Sequence, residues 1–386
     1  MRSKLPDVGT TVFTVMSRRA AETGAINLGQ GFPDYPIDPR LAALVQQAMA
    51  EGHNQYAPMP GLPALREQIA AKLQRVYGIE VDADTEITVT LGATEALYSA
   101  VQALAGPGDE VIVFDPAYDS YDPAVRLAGA RCLHVPLEAP GFRPDWERVR
   151  GLLCPATRLI IINSPQNPSC SCFSAADLDA LAQLLRGHDC CVLSDEVYEH
   201  MVYDGARHAG VLAHAELRER SVAVFSFGKT LHATGLRVGY AVARPALTLE
   251  LRKVHQFNTF SIATCLQQAI AGYLREHPDC GAGLPAFFQA KRDRLTRLLA
   301  GSGLRVLPAA GSYFQLVDYS AVSDRSDVEL AHDLISAAGV ATIPLSVFYR
   351  DPPPLRLLRL CFAKRDETLS EGARRLCAWA RKQGHA

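Results

Sequence analysis

A lysine and an arginine eight residues apart, Lys229 and Arg237, stand in the stretch "VAVFSFGKTLHATGLRVGYAVA" between two apolar runs that read as strands. Burying an unpaired ammonium is costly, so most lysines sit in water. A lone lysine just past a buried strand, with serine, glycine and threonine around it, is either a solvated side chain or a reactive amine. Position alone leaves both open.

Other groups narrow the choice. Asp195 closes the apolar run "CVLSD", where an unpaired carboxylate would be expensive and needs a cationic partner. That partner is either a side chain in a structural salt bridge or the protonated ring nitrogen of a ligand. Tyr198 and Asn167 offer neighbouring hydrogen bonds, and Tyr118 an aromatic face for stacking. Ala93 and Thr94 open a helical-period segment whose first N–H groups and hydroxyl suit a phosphate, although "GAT" also reads as an ordinary cap. Ser226 and Arg237 add a hydroxyl and a permanent cation. A phosphate grip, a ring-nitrogen acid, a stacking tyrosine, hydroxyl donors and one lysine are together the parts that pyridoxal 5'-phosphate requires.

The elements that must position these groups are short apolar runs rich in β-branched residues: "EITVTL", "EVIVF", "RCLHVPL", "RLIIIN", "CVLSD", "VAVFSF" and "RVGYAVA". Helical-period segments such as "TEALYSAVQALA" and "SAADLDALAQLLR" separate several of them, as crossover helices separate the strands of a largely parallel, doubly covered sheet. In an open α/β sheet, ligands sit beyond the carboxyl ends of the strands, and the polar groups above follow such ends. Downstream, "PAFFQAKRDRLTRLLAGSG" and "ETLSEGARRLCAWARK" read as helices, "GSYFQLVDY" and "LRLLRLCFAK" as strands. That mixture predicts a smaller α+β domain to which the N-terminal segment contributes.

With 386 residues, 48% of them apolar, the chain can bury a large core and divide into two domains. Its formal charge of −2 and the absence of a basic, aromatic-interleaved run point away from nucleic acid and membrane surfaces. The apolar stretch Val12 to Val15 is too short for a signal peptide, and no run is long enough to span a bilayer. The ten cysteines include "CSC" and "CC" pairs but no C-x-x-C repeat or nearby histidine spacing for zinc. They read as small buried hydrophobes in a reducing, cytoplasmic compartment, and no metal is expected.

The motifs "NLGQGFPD", "NQYAPMPGLPALRE", "NSPQNP", "SDEVY" and "SFGKTLHATGLRVGY" resemble those of fold-type I, class I/II aminotransferases, over a span from about Ile26 to the C-terminal helix. Within the class, "KVHQFNTFSIAT", "LVDYSAV" and "LRLCFAK" are most similar to the bacterial methionine aminotransferase and kynurenine/glutamine aminotransferase group. The resemblance implies a large cofactor domain over 41–284 with a mostly parallel seven-stranded sheet. A small domain follows from 1–40 and 285–386. It implies Lys229 as the lysine that bonds the cofactor, Asp195 on the pyridine nitrogen, and Asn167 and Tyr198 on the ring hydroxyl. Tyr118 would stack on the ring, while Ala93, Thr94, Ser226 and Arg237 would hold the phosphate. Tyr56 of "NQY" would reach the neighbouring subunit's phosphate, which implies a homodimer.

For the amino-acid substrate, Arg359 matches the family's carboxylate-binding arginine and Gly31 lines that site through its backbone. Arg356, three positions earlier, falls on the opposite strand face and reads as solvent-facing. Phe13, Tyr56, Phe260 and Tyr313 resemble side-chain-pocket positions; they imply methionine and aromatic donors, with aspartate poor. One departure stands out: "NPSCSC" replaces the family's N-P-T-G, so Cys170 must avoid a positive φ unless the loop changes course. Two other readings compete with transamination, a β-lyase acting on cysteine conjugates or cystathionine, and a catalytically silent ligand sensor on the same fold.

Overall fold

The computed structural model describes residues 3–383, so the outer ends of the expected small domain lie outside the described residues. After a short strand β1 (Ile26–Asn27), the chain builds β2 (Ile87–Thr90), β3 (Glu110–Asp115), β4 (Arg131–Pro136), β5 (Thr157–Asn163), β6 (Cys191–Asp195), β7 (Ser221–Ser226) and β8 (Gly239–Ala243). Strands β2 to β8 form one seven-stranded sheet in the order β2-β8-β7-β6-β5-β3-β4. Neighbours from β4 through β7 are parallel; β8 alone is reversed, antiparallel to both β7 and β2. The sheet is the mostly parallel one expected.

Its inner strands are largely apolar because both faces are covered, whereas the edge strand β4 is only partly covered. Along β3, Val111 and Val113 pack with Leu97 and Val101 of the helix Gly92–Leu104. Ile112 and Phe114 point the other way, into a cluster with Leu178 and Leu181 of the helix Ala175–Leu184. Such a strand has no solvent side to mark with polar residues, and each branched side chain it buries contributes about 1.5–3 kcal/mol.

The rest of the chain adds β9 (Arg305–Val306), β10 (Phe314–Asp318), β11 (Val340–Ala341), β12 (Ile343–Pro344) and β13 (Leu357–Cys361). Antiparallel pairing orders four of these as β12-β13-β10-β9. Strand β11 instead pairs in parallel with β1, Ile26 opposite Val340, and so ties the N-terminal segment to this part of the molecule. The helices Leu284–Leu299 and Asp366–Gln383 pack together beside it.

Candidate active site

Because β2, β3, β5, β6 and β7 share one direction, the residues past their ends gather at one edge of the sheet, and the reversal of β8 brings the residues before its start to the same edge. A cavity of about 160 Å³ lies there. Ala93 and Thr94 enter it after β2, Tyr118 after β3, Asn167 after β5, Tyr198 after β6, and Lys229 after β7. Asp195 and Ser226, the last residues of β6 and β7, line it too, as does Arg237 from just before β8. Strand β13 adds Arg359, and the N-terminal segment adds Phe13 and Gly31.

Lys229 sits on a single helical turn, Phe227–Thr230. The turn aims its amine at Tyr313, whose hydroxyl lies 2.8 Å from Nζ and in turn donates to the Gly31 carbonyl. Burial lowers the amine to about 8; the charge of Arg237 acts the same way and that of Asp195 against it. A Cβ at Gly31 would lie 2.7 Å from the Phe314 ring, so any larger residue would have to push that buried ring aside.

Asp195 finds no lysine or arginine partner among the described residues, which removes the salt-bridge alternative and leaves the ligand reading. Its Oδ2 accepts from the Tyr121 hydroxyl at 2.7 Å and its Oδ1 from the Val197 amide at 3.3 Å. Burial pushes the carboxyl up to about 6, and these two donors hold it from rising further. Beside it, the Asn163 side chain donates to the Asp195 carbonyl at 2.8 Å and accepts from the Asn167 amide at 2.8 Å. This bridge fixes the start of the asparagine loop relative to β6.

Arg359 is 0% exposed. Its guanidinium carbon lies 3.9 Å from the Phe314 ring centroid and 5.0 Å from that of Phe13. Nη1 donates to Asn167 Oδ1 and Nη2 to the Gly29 carbonyl at 2.8 Å, while Nε has no partner among the described residues. A buried guanidinium with an unmet donor, facing a cavity, is built for an anion. Arg356 instead pairs with Asp324 at 2.9 Å with its side chain 39% exposed, as its strand position implied.

The phosphate end has its own geometry. Gly92, with φ +71°, lets the Arg237 guanidinium lie against the start of the helix Gly92–Leu104; a Cβ there would be 2.7 Å from Nη2. Helix-start amides, the Thr94 and Ser226 hydroxyls and this guanidinium form an anion cradle. Tyr118 is half-buried, tilted edge-on to Tyr121 with centroids 5.7 Å apart, and burial pushes its phenol up to about 12. An anion cradle, a buried carboxylate, a flat aromatic side and a buried amine fit the phosphate, ring nitrogen, ring and carbonyl of pyridoxal 5'-phosphate.

Three expected residues lie elsewhere. Tyr56 is 85% exposed and meets Phe260, 43% exposed, edge-to-face at 5.5 Å; neither lines this chain's cavity. Tyr313 is fully buried behind Lys229. The asparagine loop gives a correction: Cys170 does adopt a positive φ, 67°, so the loop keeps its course with a cysteine in the glycine conformation. Cys170 is 0% exposed, and tight packing holds it there. Tyr121, Asn163, Gln30 and Phe314 were not anticipated. Only Tyr121 and Asn163 carry a signal, as a second tyrosine in "DPAYDSY" and the polar terminus of "IIIN".

The family model described as aminotransferase class I and II matches residues 23–376. The chain is 53% identical over 375 residues to methionine aminotransferase of Escherichia coli (strain K12), covering 97% of each. It is 33% identical over 410 residues to mouse kynurenine–oxoglutarate transaminase 1, again covering 97% of each. Among solved structures, that of Escherichia coli YbdL, described as having a methionine aminotransferase function, superposes with a TM-score of 0.96 over 98% of this chain and 99% of that one, at 53% identity.

Proposed function

Because the chain belongs to the class I and II aminotransferases, a family that depends on pyridoxal phosphate, we propose that it moves the amino group of methionine or an aromatic L-amino acid to a 2-oxo acid by a ping-pong sequence. The observation that carries this reading is Arg359, fully buried between aromatic rings with Nε unpartnered, in the same cavity as Lys229. A planar fork of that kind takes an α-carboxylate, and the amine stands by the α-carbon that such docking presents.

Pyridoxal 5'-phosphate, when bound, supplies a carbonyl for the amino group and a ring that withdraws electrons from the α-carbon. Asp195, a carboxylate in most molecules at neutral pH, accepts the bond of a protonated ring nitrogen. Asn167 and Tyr198 serve the ring hydroxyl, Tyr118 the ring face, and Ala93, Thr94, Ser226 and Arg237 the phosphate. Lys229, with its amine near 8, spends part of its time neutral at cellular pH and so removes and returns the α-proton. Tyr313 keeps that amine aimed by accepting its hydrogen bond.

The donor side chain meets Phe13 and the rings around Arg359, a wall without a free cation for an acidic side chain. Tyr56 and Phe260, exposed as a pair, complete the neighbouring subunit's site in a homodimer. We take residues 41–284 as the cofactor domain and the remainder as the substrate-side domain, with the cavity between them. A cytoplasmic location accords with ten free thiols. No helix of the described residues is long and apolar enough to cross a membrane.

The test is a half-reaction panel. Loss of the cofactor's yellow absorption is followed with each amino acid, and then the 2-oxo acid that restores it is identified. Methionine and aromatic donors are expected to react fastest; preference for aspartate would overturn the specificity, and no reaction with any amino acid would overturn the mechanism.

A further inference from the structure

At the far edge of the large sheet, Cys132 and His134 lie two positions apart on β4 and therefore share one face. The helix Tyr121–Leu127 brings Asp122 against that face. One ligand-type atom from each of Asp122, Cys132 and His134 lies within 4.8 Å of the others, and His134 Nε2 is 3.5 Å from Asp122 Oδ1. The other ring nitrogen, Nδ1, is held by Asp115 Oδ1 at 2.8 Å. All three side chains are half-buried on the wall of an open cleft, separate from the cavity that holds Lys229.

We propose that Asp122, Cys132 and His134 form a binding site for a transition-metal dication of the zinc type, with Asp115 orienting the histidine from behind. The donor set carries the choice of ion. One thiolate, one imidazole and one carboxylate suit a zinc-like ion, and calcium or magnesium would require oxygen donors throughout. A carboxylate on the outer ring nitrogen is the usual support of a metal-bound histidine, since it fixes the tautomer that leaves Nε2 free to coordinate. Arg126 occupies Asp122 Oδ2 at 3.1 Å, leaving Oδ1 on the side of His134. Three protein ligands leave a fourth position for water. On binding, the Cys132 thiol gives its proton to solvent, and the ion exchanges water for sulfur, nitrogen and oxygen.

Such an ion would clasp the edge strand to the helix that begins at Tyr121, whose hydroxyl holds Asp195. The site is independent of the substrate assignment, and its failure would leave that assignment intact.

The experiment uses chelator-treated holoenzyme titrated with Zn²⁺ by calorimetry and with Co²⁺ by visible spectroscopy, at wavelengths beyond the cofactor's absorption. Expected are one ion per chain and the intense ligand-field bands of four-coordinate cobalt. The near-isosteric Cys132→Ser should weaken and shift those bands, and His134→Ala should abolish the one-to-one event. Asp115→Asn should weaken binding by about 10–100-fold, the usual cost of losing such a support. Cys154→Ser, a cysteine that contacts Glu110 and lies outside the cluster, should change nothing. The proposal is overturned if wild-type holoenzyme takes up no ion at that stoichiometry, or if Cys132→Ser, still folded by its melting curve, keeps the wild-type bands and affinity.

Discussion

The hydroxyl of Tyr121 donates to Oδ2 of Asp195 across 2.7 Å, inside a site where both side chains are buried. This contact, not a salt bridge within the chain, favours the ionised form of a carboxyl that burial has raised to about 6.

Tyr121→Phe removes that donor and leaves the ring. A hydrogen bond to a charged group is worth about 1.5–3 kcal/mol, and each pH unit corresponds to about 1.4 kcal/mol. The carboxyl pKa of the cofactor-free protein therefore rises, and the acid limb of its pH profile for cofactor binding is expected to move up by about one to two units. An unmoved limb would show that Tyr121 only fills space.

Asp195→Asn separates stability from function. The folded carboxyl stands at about 6 against 3.8 for the free group, so the native state favours the protonated form. Between about pH 4 and 6 the cofactor-free protein loses stability as pH rises, in total about 3 kcal/mol from this group. Asparagine has no charge to bury. Urea unfolding of the cofactor-free variant at pH 7 should show a gain approaching that size, absent below pH 4, while transamination is lost. A variant less stable than wild type at pH 7 contradicts the burial argument.

Lys229→Ala takes away the only amine among the described residues that lines the cavity. The anion cradle and Asp195 remain, so the variant is expected to bind the cofactor without a covalent link, and borohydride should no longer fix it to the chain. Loss of proton transfer alone reduces turnover by about 10²–10⁴-fold. Turnover near the wild-type rate in this variant would refute the assignment.

Much of this edge is legible in the sequence because a mostly parallel sheet gives its inner strands largely apolar interiors, so the polar residues at their carboxyl ends stand out. Lys229, Asp195, Asn167 and Tyr118 all follow that rule, and the cavity receives all four. Tyr121 escapes it because it opens a helix, and nothing in "DPAYDSY" tells which tyrosine turns toward β6. Phe314 and Gln30 escape it because they come from segments far along the chain, brought in by the pairing of β10 with β13 and of β1 with β11. Tyr56 and Phe260 lie at the surface of this chain, where no single-chain argument fixes what they touch. Cys132 and His134 look like ordinary strand residues until Asp122 is folded against them.

Arg359→Lys keeps a positive charge but loses the planar fork and its packing between rings. Disrupting a buried, hydrogen-bonded charge pair costs about 3–5 kcal/mol, so kcat/KM for amino acids should fall by about 10²–10⁴-fold. Amines without a carboxylate should lose far less. Equal losses for both substrate types would show that Arg359 supports the fold and does not read the carboxylate.

Cys170 tests how the altered asparagine loop is held. Its φ of 67° is one that glycine adopts freely and that costs other residues about 1–2 kcal/mol. In most positions a glycine variant is less stable than the alanine variant, by about 0.5–1 kcal/mol, because its unfolded chain has more freedom to lose. Here the left-handed backbone opposes that order. Both substitutions remove the buried Sγ, and only Cys170→Gly relieves the backbone, so it is expected to unfold at higher urea than Cys170→Ala. If alanine proves the more stable of the two, the loop in solution does not carry the positive φ, and the contacts of Asn167 beside it must be drawn again.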